Sequence, residues 1–470
     1  MNKKLSYGTM LAVAAGELFG GGAFNVVNFL YPGFLALAVG LPAHLAGIVI
    51  LIARIIDAVI DPPIGYFSDK LRVRFGTRRK TLLVSAPLIV LALFLMFYPY
   101  SNPGIGTRFF LALISYVFFV IVQSSVMIPY YSLSSEISED YTERARLTSL
   151  RMGFSIFSSI VCVALPGVIV SHFEGNTGYI VMSLTFGVAF MICVGITGLF
   201  TKEGIPAPEK AESFKLRDFI QPLQIRTFRQ YLCIFLCCQV TMAVMSALFF
   251  FYVDFYFCRD LTAQGEGNMV GLLGAAIMFG MQIVALPFYL AMIKKAGKIA
   301  AYILGSAIWI VGALFLFVLP ANSGSVPLYI LAAVLGFGIS GPGLIPHAIF
   351  ADVVDVGDLR FGKRAAGIFG GVANLTIQIG QAVGVAAVMA GIGLAGFVEQ
   401  DISEGAEKIT SQSLSAQNAI VYIMALAPLL LMSIAVIVCT RYRLNKEMHN
   451  RVLIALEGSE EEKAAVLKLL

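Results

Sequence analysis

The chain has 470 residues, 58% of them hydrophobic and only 13% charged, with a formal net charge of +5 and a mean hydropathy of +0.85. Soluble domains carry about 25% charged residues, so a soluble globular fold is excluded and a polytopic helical membrane protein is expected. The small basic excess then belongs to membrane topology rather than to nucleic-acid binding.

Apolar blocks of about 20 residues predict twelve spans, at 8–38, 43–68, 81–100, 107–134, 150–171, 178–200, 228–256, 268–293, 299–320, 326–351, 365–396 and 417–440. The first block is too long for a cleavable leader and carries Glu17 inside it, a carboxylate whose cost at bilayer depth makes it a candidate site residue. The run Gly20-Gly21-Gly22 with Asn25 and Asn28 is expected to thin this helix and turn both asparagines into a cavity, close helix packing being the other reading.

Span 2 carries Arg54, Asp57 and Asp61 at i, i+3 and i+7, all on one helical face. Each costs roughly 2.5–3.5 kcal/mol at the bilayer centre, so the face should look into a protein interior or a watery cavity. Two carboxylates against one guanidinium leave a deficit that Na⁺ or H⁺ fills. Span 2 runs into Gly65-Tyr66-Phe67-Ser68-Asp69-Lys70 through Gly76-Thr77-Arg78-Arg79-Lys80, where Asp69 can meet a neighbouring helix terminus or arginine.

Span 4 ends in Pro129-Tyr130-Tyr131-Ser132-Leu133-Ser134-Ser135-Glu136, followed by Arg144. Six spans later, Pro346-His347-Ala348-Ile349-Phe350-Ala351-Asp352 is followed by Asp355 and Arg364. Each places an acid at a helix end and an arginine near the next helix start. Together with Asp69 these charges are expected to lock the ends of the spans in one state and to part in another. Asp254, near the end of span 7 among aromatics, is expected to reach water from its helix end. In span 11, Asn374, Gln378 and Gln381 fall at i, i+4 and i+7, a polar stripe that should face a cavity rather than lipid.

The weak repeat implies two six-helix halves, residues 1–200 and 228–440, joined by a polar linker at 201–227 and followed by a tail at 441–470 with a short charged helix. Lysines and arginines gather in one set of loops, which puts both termini in the cytoplasm. The seven cysteines form no CxxC pair and the four histidines are scattered, so no cofactor and no metal beyond Na⁺ are expected. Without a P-loop or a catalytic motif, neither an ATP-driven pump nor a membrane enzyme fits.

The Gly65–Lys80 loop resembles that of the major facilitator superfamily. Four segments narrow the likeness: Leu5-Ser6-Tyr7-Gly8, Arg54 through Pro62, Ile128 through Glu136 with Arg144 and Arg151, and Tyr442-Arg443-Leu444-Asn445. They resemble the glycoside–pentoside–hexuronide:cation symporters, the melibiose permease family. Ser124 of span 4 can add a hydroxyl oxygen to a cation site that the resemblance implies at Asp57 and Asp61, and the resemblance implies a solute site that includes Glu17, Tyr131 and Arg151. Arg54, Asn25, Asn28, Asn374 and Gln378 would complete it. Gln378 stands where the family carries a lysine, and Gly341-Pro342-Gly343 where melibiose-type members carry a tryptophan, so melibiose itself is not the expected solute. The expectation is a monomeric symporter of a sugar, glycoside or hexuronide in a bacterial inner membrane, with a small-molecule solute, a monovalent cation and the lipid bilayer as partners. A carrier of lysolipids or other amphiphiles on the same fold, or a non-transporting sensor, is the alternative.

Overall fold

The computed structural model describes residues 6–100, 104–135, 137, 141–173, 176–201, 221–257, 267–362, 366–399, 411–456 and 458–469. Among the described residues, twelve helices are long and apolar enough to cross a membrane. They are α1 Tyr7–Ala38, α2 Ala43–Phe75, α3 Arg79–Met96, α4 Ile105–Ser135, α5 Tyr141–His172 and α6 Thr177–Phe200 in the first half. The second half holds α7 Arg226–Phe257, α8 Gly267–Ala296, α9 Lys298–Val318, α10 Ser325–Phe361, α11 Ala366–Leu394 and α12 Leu414–Thr440. Two tail helices, α13 Lys446–Leu456 and α14 Glu460–Leu469, follow.

Several helices outrun their apolar blocks. α2 continues past the membrane to Phe75, α10 to Phe361, and α5 begins at Tyr141, because charged residues end a hydropathy window without ending the hydrogen-bond ladder. Gly76 closes α2 at φ +70° and Gly297 separates α8 from α9 at φ +89°. Both turns need the left-handed region that glycine enters freely, and they occupy corresponding places in the two halves.

The packing repeats with the same six-helix offset. α3 packs on α6 as α9 packs on α12, α1 on α5 as α7 on α11, and α2 on α4 as α8 on α10. Between the halves α2 meets α11 and α8 meets α5, a pair exchanged by the same pseudo-symmetry. The fold is two six-helix bundles in the major facilitator arrangement.

The glycine run in α1 does not thin the helix. A Cβ on Gly20 would strike the Met127 methyl, and one on Gly21 or Gly22 would strike the hydroxyls of Ser155 and Ser158. Ser158 Oγ donates to Leu18 O at 2.5 Å. The missing side chains let α1 and α5 interlock, the small-residue solution to packing in lipid. The irregularities of α1 fall elsewhere, at Gly16 and in a π turn over Phe34–Ala38 just after Pro32, where proline removes a ladder donor.

The close inter-half packing sits toward the end remote from the termini. Gly47 of α2 lies against Ala386 and Met389 of α11, and Gly167 of α5 against Leu272 of α8. Phe29 meets Phe249, Phe250 and Phe279 in T-shaped contacts with centroids 6.3, 6.3 and 5.8 Å apart. Glu399 Oε1 accepts from the Ala43 amide at 2.8 Å. Toward the termini the packing loosens: Tyr131 is 47% exposed, and a Cβ on Gly153 or Gly343 would meet nothing within 4 Å. Among the described residues the two halves are packed together at one end, the closed end, and parted at the end that carries the termini.

Candidate functional site

Four charged or polar groups on α2 and α4 make one cluster. Ser124 Oγ lies 3.1 Å from Asp57 Oδ1 and 2.6 Å from Asp61 Oδ1. A hydroxyl has one proton to donate, so Ser124 can satisfy only one of the two carboxylates at a time. Arg54 Nη1 stands 3.6 Å from Asp57 Oδ2, while Arg54 Nη2 donates to Asn28 Oδ1 at 3.2 Å and the guanidinium lies 5.5 Å from the Phe24 ring centroid. Arg54 and Asp57 are only 7% and 6% exposed. A buried Asp57 beside a half-buried Asp61, with one guanidinium at hand, is costly, and a cation between them would offset the cost.

A second cluster joins α1, α4 and α5. Glu17 Oε2 accepts from Arg151 Nη2 at 2.8 Å and from Arg151 Nε at 3.0 Å. Arg151 also donates to Ser134 Oγ at 2.7 Å and Tyr130 Oη at 3.2 Å, and lies 5.0 and 5.2 Å from the ring centroids of Tyr130 and Tyr131. The guanidinium is thus held on a carboxylate, two hydroxyls and two rings, while Tyr131 keeps an open face. Tyr130 and Ser134 are part of this site although the sequence points only to Tyr131; their signal was their place in the Pro129–Glu136 segment. Tyr116 of α4, buried beside Arg54, carried no signal of its own in an apolar span.

The two halves touch at mid-depth through Gln378 of α11, whose Nε2 lies 3.4 Å from Asp61 Oδ2. Gln381 turns instead to Gln239 O at 3.5 Å, and Asn374 is exposed. Asn28 joins the cluster through Arg54. Asn25 does not: its Nδ2 donates to Gly21 O and Ser159 Oγ, both at 2.9 Å, so it serves the α1–α5 interlock rather than the cavity. Asp254 is half-buried in a π turn over Val253–Phe257, with Oδ1 shielded from solvent, instead of reaching out from a helix end.

The expected gating charges are arranged differently from the sequence pattern. Asp352 Oδ2 pairs with Lys298 Nζ of α9 at 2.6 Å, and Lys298 also donates to Ala348 O at 2.9 Å. His449 of the tail helix α13 lies 3.1 Å from Asp355 Oδ2 and 3.8 Å from Asp352 Oδ1. Burial raises the Tyr442 phenol well above its ordinary value beside this group. These contacts hold the second half and the tail together and do not bridge the halves. Their partners could not be read from spacing, because Lys298 and His449 are 54 and 97 positions from Asp352 in sequence. Glu136 and Arg364 lie outside the described residues, and only the helical backbone of Asp69 and Arg144 is described.

The sequence model of a family described as MFS/sugar transport protein matches residues 12–446. The chain belongs to this family. It is a major facilitator transporter of the glycoside–pentoside–hexuronide:cation symporter type, an integral membrane protein and not an enzyme. It is similar to the glucuronide carrier protein homolog of Escherichia coli K12, with 25% identity covering 86% of this chain and 87% of the relative. It is equally similar to the isoprimeverose transporter of Lactiplantibacillus pentosus, with 25% identity covering 94% and 90%. Among solved structures, a bacterial homolog of the human lysosomal transporter Spinster, in an inward-facing and unoccupied conformation, superposes with a TM-score of 0.64. At 12% identity, covering 92% of this chain and 97% of that one, this likeness shows the fold.

Proposed function

We propose that this transporter carries a saccharide or glycoside together with one monovalent cation, Na⁺ or H⁺, by alternating access between its two bundles. The observation that carries the reading is the Asp57–Ser124–Asp61 cluster with Gln378 of the opposite half against Asp61. At mid-depth Arg54 and Arg151 face Glu17, Asp57 and Asp61, which leaves one formal negative charge. One bound monovalent cation neutralises it, and an uncharged solute can then join without a further counter-ion.

The cation takes Asp57, Asp61 and the Ser124 oxygen. It removes the charge that holds the Gln378 amide, so the contact between halves depends on whether the cation is present. The solute lies beside Tyr131 and the Glu17–Arg151 pair, where a ring face and fixed donors and acceptors suit a hydroxylated ring. The coupling between the two ligands is reciprocal by linkage. With the termini in the cytoplasm, as the distribution of lysine and arginine supports, the open end faces the cell interior. Names of relatives that include a glucuronide carrier homolog and an isoprimeverose transporter support a saccharide solute.

The test is uptake into liposomes of a panel of glycosides, pentosides and hexuronides under an imposed Na⁺ or H⁺ gradient. Accumulation driven by one gradient supports the reading and identifies the ion. Flux of a lysolipid with no saccharide uptake would replace it with an amphiphile carrier.

A further inference from the structure

His347 lies within the membrane-spanning helix α10 and has no part in the two clusters above. Its side chain is exposed. Its ring meets the buried ring of Phe235 edge-on, with centroids 5.1 Å apart and planes at 76°, which fixes the plane of the imidazole. Among the described residues neither ring nitrogen has a hydrogen-bond partner.

At the level of His347 the other faces of α10 are occupied, while its exposed apolar residues Val326, Ile330 and Val334 lie nearer its start. Gly338 and Pro342 pack on Trp309 and Gly305 of α9, and Gly336 and Gly341 on Met278 and Tyr289 of α8. Phe350 packs on Tyr231 of α7, with centroids 5.8 Å apart. What remains is a strip of Gly343, His347 and Ala351, spaced i, i+4 and i+8 between α7 and α8, with open space where a Gly343 Cβ would stand. An unpartnered imidazole facing hydrocarbon is costly, whereas facing a watery cavity it is solvated. The pseudo-symmetry agrees. His347 follows Pro346 as Tyr130, a partner of Arg151, follows Pro129 in α4, the counterpart helix of the first half.

We propose that His347 is the solute contact supplied by the second half, hydrogen-bonding a hydroxyl of the carried saccharide across the cavity from Tyr131 and Arg151. A neutral imidazole donates through one nitrogen and accepts through the other, which matches a hydroxyl that does both. This rests on the saccharide reading above.

Two experiments test it. In a variant whose seven native cysteines are replaced, His347→Cys is exposed to a charged, membrane-impermeant methanethiosulfonate in proteoliposomes. The expected result is modification that slows several-fold when a carried saccharide and the coupling cation are present. Reaction with a lipid-soluble maleimide alone would place the residue against lipid and overturn the proposal. In the native background, His347→Leu should raise KM about tenfold, the worth of one hydrogen bond, with kcat and thermal stability kept, while His347→Gln stays near the parent value. Saccharide uptake with an unchanged KM in His347→Leu, and labelling indifferent to solute, would overturn the proposal alone. If the unaltered protein carries no saccharide, the proposal falls with that reading.

Discussion

The backbone amide of Ala43, the first residue of α2, donates to Glu399 Oε1 at 2.8 Å, so a carboxylate from beyond α11 caps a helix of the other half. The amides at a helix start have no partner within their helix and carry its positive end. The bond is therefore both a cap and a clasp across the closed end, and it must break whenever that end opens.

Glu399→Ala should favour opening at that end. A capping carboxylate contributes about 1–2 kcal/mol, so the open population should rise roughly 5- to 30-fold. Pulsed electron–electron distances between spin labels at Ile105 and Val326, both exposed at that end, should gain a longer component. An unchanged distance distribution would show that the clasp carries no weight.

Gly47→Leu should act in the same direction by bulk. A Cβ at Gly47 would stand 3.0 Å from Met389 Cβ and 3.1 Å from the Ala386 backbone, and the rest of the side chain has nowhere to go. The variant should hold its fold, bind solute from the opened side and fail to complete the cycle, as binding and counterflow measured on the same vesicles would reveal.

Asp57→Asn and Asp61→Asn should each abolish gradient-driven accumulation while leaving membrane insertion intact. Ser124→Ala should weaken cation activation roughly 10- to 100-fold, since a hydrogen bond to a charged group contributes about 1.5–3 kcal/mol. Full accumulation in both aspartate variants would remove the cation site from these residues.

Arg151→Gln leaves the Glu17 carboxylate buried without its partner, an arrangement costlier than removing both charges. Thermal stability should fall in the single variant and recover in Glu17→Gln/Arg151→Gln, while uptake stays lost in both. Recovery of uptake in the double variant would make the pair a structural feature only.

Lys298→Ala should lower thermal stability and leave the labelled distances alone, because the Lys298–Asp352 pair lies within one half. A change of conformational state in this variant would restore Asp352 to the gating role its sequence position suggests.

Most of the architecture is written in hydropathy, because lipid leaves the backbone no alternative to helices at these lengths. Asp57 and Asp61 announce themselves by cost and by a shared helical face. What spacing along one helix does not carry is who stands opposite. Glu17 and Arg151 are each visible as misplaced charges, yet nothing in the chain says that they bind one another across 134 positions. Asn25 and Asn28 look alike in sequence, three residues apart, but one faces the serines of α5 and the other faces Arg54. Asp352 and Asp355 show the same limit: spacing marks them as acids at a helix end, yet it does not say that they meet Lys298 and His449 within their own half. Among the described residues the closed end is sealed instead by glycines, phenylalanines and the Glu399 carboxylate.

The Gln378–Asp61 contact is the meeting point of two unlike surfaces. The ionisable groups of the mid-depth clusters, Glu17, Arg54, Asp57, Asp61 and Arg151, belong to the first bundle. Across from them the second offers amides, an imidazole and backbone. A change in the second bundle can therefore alter which solute is accepted without disturbing how the ion is held. Chimeras that exchange residues 228–440 with a relative should inherit that relative's diet and keep this chain's ion. Diversity of substrates on one energy source would then need mutations in only half of the molecule.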